Sequence, residues 1–395
     1  MIHRETLVAA YAALVNSGYA LLVIWLLQRR RPGVSWAVLL ACLWAGVMSI
    51  LFALELVQPP ALKTFMRHYL YLPIAVEMVW NLLVLPILLP LTILIVLVIR
   101  RLRSAPARAA AGASEPAGGG LSRREFLYLV GWGAMPAVAV ASGVHGTLTR
   151  NDLRLRRFDL PIAGLPPELN GLTIAHVSDL HSGLFVGPRR LREVTDLAND
   201  TKADIVVVTG DLINRAMDEF PAALAAVRRL ESRHGLFLCE GNHDIFPGDG
   251  IVVEACRRHG LDMLWNSAAT LELGGRRVIL AGLPWFDPPP GTDPAIVARL
   301  FPPRAAEGDL RILLAHHPHI FDFASSADLV LSGHTHGGQI MFGDVGLGSL
   351  RFKYNSGRFQ RGATTMIVNN GCGDWFPCRI GAPAEIGLLR LTRAA

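Results

Sequence analysis

Seven side chains in the second half of the sequence are of the kinds that hold divalent cations, and they fall in short clusters. These are Asp179-Leu180-His181, Gly210-Asp211, Gly241-Asn242-His243-Asp244, a lone His316, and Gly333-His334-Thr335-His336. Carboxylate, amide and imidazole donors with no thiolate among them favour Mn, Fe, Zn or Mg over a cysteine-based zinc site. Each cluster alone is a weak signal, because Gly-Asp is mostly a turn marker. Their weight comes from recurrence, since every one of them follows a short apolar run.

Those runs are the elements that must position the donors. Residues 173–177, 205–209, 236–239, 278–281, 312–315, 329–332 and 366–368 read as strands buried on both faces. Between them Leu191, Val194 and Leu197 follow Pro188, and Leu224, Val227 and Leu230 follow Pro221. Apolar residues about every third position, entered by a proline that fits a first turn, predict helices. The alternation implies an α/β fold with a sheet core and helices outside. Donors just past strand ends then gather at one sheet edge, where open α/β sheets place their sites. His176 falls within a strand and reads as a core histidine, whereas His317 and His319 read as loop residues beside His316.

The first third differs in kind. Runs at 7–27, 34–54 and 78–99 are nearly free of charge and reach the roughly 20 residues that cross a bilayer. They predict three transmembrane helices within residues 1–99, so the bilayer itself is an expected partner. Glu55 and Glu77 lie near run ends, where a carboxylate can reach the interface. Residues 100–121, rich in Ala, Gly, Pro and Arg, read as a flexible linker. Residues 122–148 open with Ser122-Arg123-Arg124-Glu125-Phe126-Leu127 and hold Ala139-Val140-Ala141. They read either as a twin-arginine-like export signal or as a fourth transmembrane helix. Arg29 to Arg31 and Arg100, Arg101, Arg103, Arg108, Arg123 and Arg124 outnumber Arg4, Lys63 and Arg67 on the opposite side. Positive charge accumulates on cytoplasmic loops, so four crossings place residues 153–391 on the outer face of the cell's inner membrane.

Composition removes other classes. A net charge of +6 is concentrated in arginines flanking apolar runs, with no basic stripe of interleaved aromatics, and nucleic acid is therefore not an expected partner. Five cysteines at irregular spacing, with no C-x-x-C pair, exclude a zinc ribbon or a dense disulfide framework. Cys372 and Cys378 could pair or remain packed thiols.

The clusters together resemble the calcineurin-like metallophosphoesterase family, whose signature is D-x-H, G-D, G-N-H-[DE], a lone H and G-H-x-H. The longer forms Ser178-Asp179-Leu180-His181, Thr209-Gly210-Asp211-Leu212 and Ser332-Gly333-His334-Thr335-His336-Gly337-Gly338-Gln339 look most like its membrane-linked bacterial subgroup. That subgroup includes YkuE-like phosphodiesterases and UDP-diacylglucosamine pyrophosphatases. The resemblance covers residues 153–391 and implies a metallophosphoesterase β-sandwich flanked by helices. It implies one cation on Asp179, His181 and His336, a second on Asn242, His316 and His334, and Asp211 bridging them. His316 fits the H-x-P pattern with Pro318. By the same resemblance His243 is a proton donor to the leaving group or a stabiliser of phosphoryl oxygens, with Asp244 orienting its ring. The expected activity is two-metal hydrolysis of phosphoester or pyrophosphate bonds, on a phosphorylated or lipid-linked small molecule such as a UDP-diacylglucosamine-type compound. Two readings compete with it: an exported phosphodiesterase or nucleotidase acting on soluble substrates, and a non-catalytic transporter or sensor that binds phosphate compounds.

Overall fold

Alternate residues of the central strands serve two different cores, and this decides the layering of the molecule. The computed structural model describes residues 16, 43–51, 70–81, 137–305 and 308–394. Two units are present, Met1–Thr147 and Leu148–Ala395.

In the first unit helix α1 (Tyr71–Val79) is described. Glu77 on it is buried, and its carboxylate accepts from the Asn81 amide at 2.5 Å. The Trp80 indole donates to Asn16 at 2.8 Å. Most of the predicted spans, the linker and the Ser122–Leu127 motif lie outside the described residues. Among the described residues no helix is long and apolar enough to cross a membrane.

The second unit carries β1 (Leu153–Ile162), β2 (Thr173–Val177), β3 (Ile205–Thr209), β4 (Leu236–Cys239), β5 (Ser267–Leu273), β6 (Arg276–Gly282) and β7 (Asp309–Leu314). Then follow β8 (Leu329–Ser332), β9 (Met341–Phe342), β10 (Val345–Gly346), β11 (Gly357–Arg361), β12 (Thr364–Val368) and β13 (Ala384–Arg393). One sheet has the order β1-β13-β2-β3-β4, a second β11-β12-β8-β7-β6-β5, and β9 and β10 form a small hairpin. Helices α2 (Pro188–Asp200), α3 (Phe220–Val227), α4 (Ile251–Arg258) and α5 (Ala295–Ala298) complete it.

On β3, Ile205 and Val207 face a core shared with Ile312 and Leu314 of β7 and Leu329 and Leu331 of β8. Val206 and Val208 face the other way, against Leu191, Val194, Ala223, Val227 and Val252 of the helices. The second sheet repeats the pattern, with Leu313, Val330 and Met366 packed on Val297 and Phe321. Strands apolar on both faces are what such an α/β/β/α sandwich requires, each buried Val, Leu or Ile contributing about 1.5–3 kcal/mol.

Strand β1 was not legible, because Arg154, Arg156 and Arg157 interrupt its apolar pattern. As an edge strand it pairs in parallel only with β13. These arginines, together with Arg150, look in the sequence like the flank of a fourth spanning helix. In the fold Arg154 pairs with Asp152, Arg156 with Glu385 and Arg150 with Asp374. Cys372 and Cys378 are both buried free thiols, and Cys372 donates to the Glu385 carbonyl at 3.1 Å.

Candidate metal centre

Strands β2, β3 and β4 run parallel in one sheet, and β7 and β8 run parallel in the other. Their carboxyl ends therefore lie on one edge of the sandwich, and the chain leaves each through a tight turn. Asp179, His181, Asp211, His334 and His336 all adopt positive φ, between 45° and 71°. They make up five of the eight non-glycine residues in that conformation among the described residues. A left-handed backbone costs a non-glycine residue free energy, less for Asp and His than for most, and persists where the surroundings over-determine it. Here it aims consecutive side chains at one point.

The donors meet there. His336 Nε2 lies 3.1 Å from Asp179 Oδ1, and His181 Nε2 lies 3.0 Å from His336 Nε2. His316 Nε2 is 3.1 Å from Asp211 Oδ2, whose distance to His181 Nε2 is 3.5 Å. Asp211 thus stands between a group formed by Asp179, His181 and His336 and another centred on His316. At the mouth His334 Nδ1 sits 2.7 Å from Asn242 Oδ1. All seven residues that the sequence singles out as ligands are brought to this edge.

A test of fit comes from the buried nitrogens. His316 Nε2, despite its 3.1 Å approach to Asp211, is buried without a hydrogen bond. His316 Nδ1, in contrast, is held by the Thr209 carbonyl at 2.7 Å. A ligating imidazole usually has its other nitrogen engaged in this way. The donors fit divalent cations.

Electrostatics agree. Burial pushes the Asp179 carboxyl up, but His336 and His316 outweigh it and hold it well below the usual range. Asp211 is likewise held down, against burial, chiefly by His316 and His243. Burial disfavours protonation of His316, yet the Asp211 and Asp179 carboxylates raise it to about 10. His181 and His334 are lowered, first by burial and then by neighbouring imidazoles, so their nitrogens stay available as lone-pair donors. Two buried carboxylates therefore draw positive charge to this point.

Glycines admit the close approach. A Cβ on Gly333 would stand 1.9 Å from Ser178 Oγ and 2.2 Å from Asp179 Oδ2. Gly333→Ala is therefore expected to displace Asp179 and weaken Mn binding by roughly 10–100-fold, as losing a ligand's support does. Calorimetric titration of the folded variant measures it, and wild-type affinity would contradict this account of the ligand's placement.

Two expectations need correction. Asp244 does not orient the His243 ring. Its carboxylate accepts backbone N–H bonds from Asp211, Leu212 and Gly241 at 2.9 Å each and from Ile213 at 3.3 Å, tying the β3 and β4 loops together. The His243 ring is instead fixed by its Nδ1, which faces the Asn214 carbonyl, and by edge-to-face contact with His181 at 4.5 Å. His317 is a loop residue as expected, with Nε2 3.3 Å from Asp287, whereas His319 lies inside the short helical turn Pro318–Phe323 that His317 caps by accepting the His319 N–H. His176 is a core histidine held by Thr209 at 2.8 Å.

Residues that pattern reading missed also touch the centre. Trp285 packs on His334 with ring centres 4.9 Å apart, and buried Arg379 lies 3.2 Å from His336 Nδ1. Neither sits in a periodic segment, so the sequence carries no signal for them.

A two-sheet α/β sandwich with oxygen and imidazole donors converging on one strand edge defines a metal-dependent phosphoesterase scaffold. Residues 172–338 match the family described as Calcineurin-like phosphoesterase. Over 252 residues the chain is 31% identical to the "Transmembrane protein with metallophosphoesterase domain" of Danio rerio, covering 60% of this chain and 56% of that protein. It is 29% identical over 292 residues to the metallophosphoesterase YkuE of Bacillus subtilis, covering 69% and 98% of the two chains. With the phosphodiesterase YaeI of Escherichia coli it shares 28% identity over 228 residues, 55% of this chain and 81% of that one. The chain thus spans little over half the length of the Danio rerio relative.

Proposed function

We propose that the protein is a two-metal hydrolase of phosphoester or pyrophosphate bonds whose substrate is membrane-associated or lipid-linked. The observation that carries the chemistry is the position of Asp211, within 3.5 Å of imidazoles from both donor groups. In this reading Asp179, His181 and His336 would hold one ion and Asn242, His316 and His334 the other, with Asp211 a ligand common to both groups. When bound, such a pair stabilises charge on the attacking and leaving oxygens of an in-line displacement. His243 supplies the proton to the leaving oxygen from Nε2, because Nδ1 is committed to the Asn214 carbonyl. Trp285 and Phe352 wall the cleft beside His334.

A membrane-associated substrate is supported by the apolar runs of the first third and by the surface next to the site. Phe342, Val345 and Leu350, all within 15 residues of His336, are 64%, 67% and 87% exposed. The distribution of Lys and Arg supports an outward-facing domain.

The test is to assay the full chain with Mn on a lipid pyrophosphate or phosphodiester in mixed micelles and on its water-soluble head-group analogue. The lipid substrate is expected to show at least about tenfold higher kcat/KM, or about 1.4 kcal/mol of extra transition-state binding. Preference for the soluble analogue would instead identify an enzyme of exported soluble esters. Hydrolysis of neither, together with stoichiometric phosphate-ester binding, would identify a non-catalytic binder.

A further inference from the structure

Arg379 is 1% exposed, and its surroundings saturate it. Its Nε meets the Asp374 carboxylate, its Nη1 donates to the carbonyls of Asn370 at 3.1 Å and Ala382 at 3.0 Å, and its Nη2 donates to Gly373 at 2.6 Å. Nη2 also donates to the Gly371 carbonyl at 3.4 Å, and this end of the guanidinium abuts the His336 ring, Nη2 lying 3.2 Å from Nδ1. A guanidinium has five N–H groups in a fixed planar fork and keeps its charge. With every one engaged, its edge is a rigid stop for whatever it touches, and here that is the imidazole of a candidate ligand. Gly371, at φ 76°, lets the loop close on that ring, since a Cβ there would stand 3.0 Å from His336 Nδ1.

The chain of contacts runs further, to the segment by which the polypeptide enters the catalytic unit. The second Asp374 oxygen lies 3.3 Å from Arg150 Nε, and Arg150 Nη2 donates to the Phe185 carbonyl at 2.7 Å. The Thr149 hydroxyl donates to the carbonyl of Arg379 itself. Arg150 and Asp374 are 6% and 3% exposed, so the pair lies out of water, and removing Arg150 leaves the Asp374 carboxylate held by Arg379.

We propose that Arg379 is the positioning residue for His336, and that Arg150, acting through Asp374, holds Arg379 in place. The residues leading in from the N-terminal unit are then part of the scaffold of the metal centre and more than a tether. The inference rests on His336 being a metal ligand, as argued above.

The test uses the purified full chain and Mn in competition with a chromophoric chelator. Arg150→Ala is expected to raise the Mn dissociation constant about tenfold, the lower end of what losing a ligand's support costs. It should lower kcat while leaving KM for an aryl phosphodiester within about twofold, and Arg150→Lys should recover most of the Mn affinity by keeping the charge. A purely structural role would lower the unfolding temperature equally with and without Mn. A positioning role shrinks the Mn-dependent increment itself, because that increment reports affinity for the folded state. Should Arg150→Ala fail to fold, the near-isosteric Asp374→Asn is read in the same way. If His336→Ala binds Mn as wild type does, the ligand reading falls and the inference with it. If His336→Ala loses Mn while folded Arg150→Ala or Asp374→Asn retains it fully, the inference alone is overturned.

Discussion

Asp211→Asn is expected to lower kcat/KM on any phosphoester substrate by roughly 1000-fold, or about 4 kcal/mol. Asp211 Oδ2 is 3.1 Å from His316 Nε2 and 3.5 Å from His181 Nε2, while Oδ1 accepts the backbone N–H of His243 at 2.8 Å. Asparagine keeps the shape and one oxygen. If that oxygen stays on the His243 N–H, the amide turns an NH2 group toward both imidazoles, and a cation bridge is impossible. If it turns the other way, NH2 faces N–H and the β4 loop loses its anchor. Either arrangement removes one of two buried negative charges that attract cations, and an ion acting as Lewis acid is worth several kcal/mol. Steady-state kinetics with elemental analysis measure both halves, expecting fewer bound equivalents and the loss in rate together. A variant with wild-type rate and metal content would remove Asp211 from the centre and the two-metal reading with it.

The legible parts of the fold and site share one physical cause, and so do the illegible ones. Strands β2, β3, β4, β7 and β8 are short and mostly apolar because both faces are covered, and a donor two or three residues past the end of such a run stands out. Asp179, Asp211, Asn242, His316 and His334 are all found that way. Strand β5, with the sequence Ser-Ala-Ala-Thr-Leu-Glu-Leu and alternating exposure, and β1, with its arginines, are edge strands whose solvent-facing residues dilute the pattern. Strand β13 was missed for another reason, since it lies between β1 and β2 and its pairing is set by segments more than 200 residues away. The role that the resemblance implies for Asp244, orienting the His243 ring, is not what the fold gives it. Its true partners are backbone N–H groups, which every residue but proline carries and no sequence pattern marks. Arg379 is hidden likewise, its acceptors being four main-chain carbonyls and one aspartate.

The corrected geometry changes what replacing His243 and Asp244 should do, and the contrast separates proton transfer from loop support. His243 is partly exposed at the mouth, its ring held between His181 at 4.5 Å and Phe246 at 4.7 Å, with Nδ1 fixed by Asn214. The Nδ1–H donates to that carbonyl, so Nε2 is the nitrogen left to carry a proton outward. An alkoxide leaving group needs the proton in the transition state, whereas nitrophenolate is stable without it. General-acid catalysis is worth about 10²–10⁴-fold. His243→Ala should therefore lower kcat on an alkyl phosphodiester by roughly 10²-fold or more, and on the nitrophenyl ester by about tenfold or less. Asp244→Asn should behave differently. Its amide would set N–H groups against backbone donors, at about 1–3 kcal/mol for each buried group left unsatisfied. The variant should unfold at lower temperature and lose activity by the same factor on both esters, because the β3 and β4 loops carry Asp211 and Asn242 regardless of leaving group. Equal losses for His243→Ala on the two esters would remove His243 as proton donor. A leaving-group dependence in Asp244→Asn would instead restore the carboxylate to the proton path despite its distance from the ring in bonding terms.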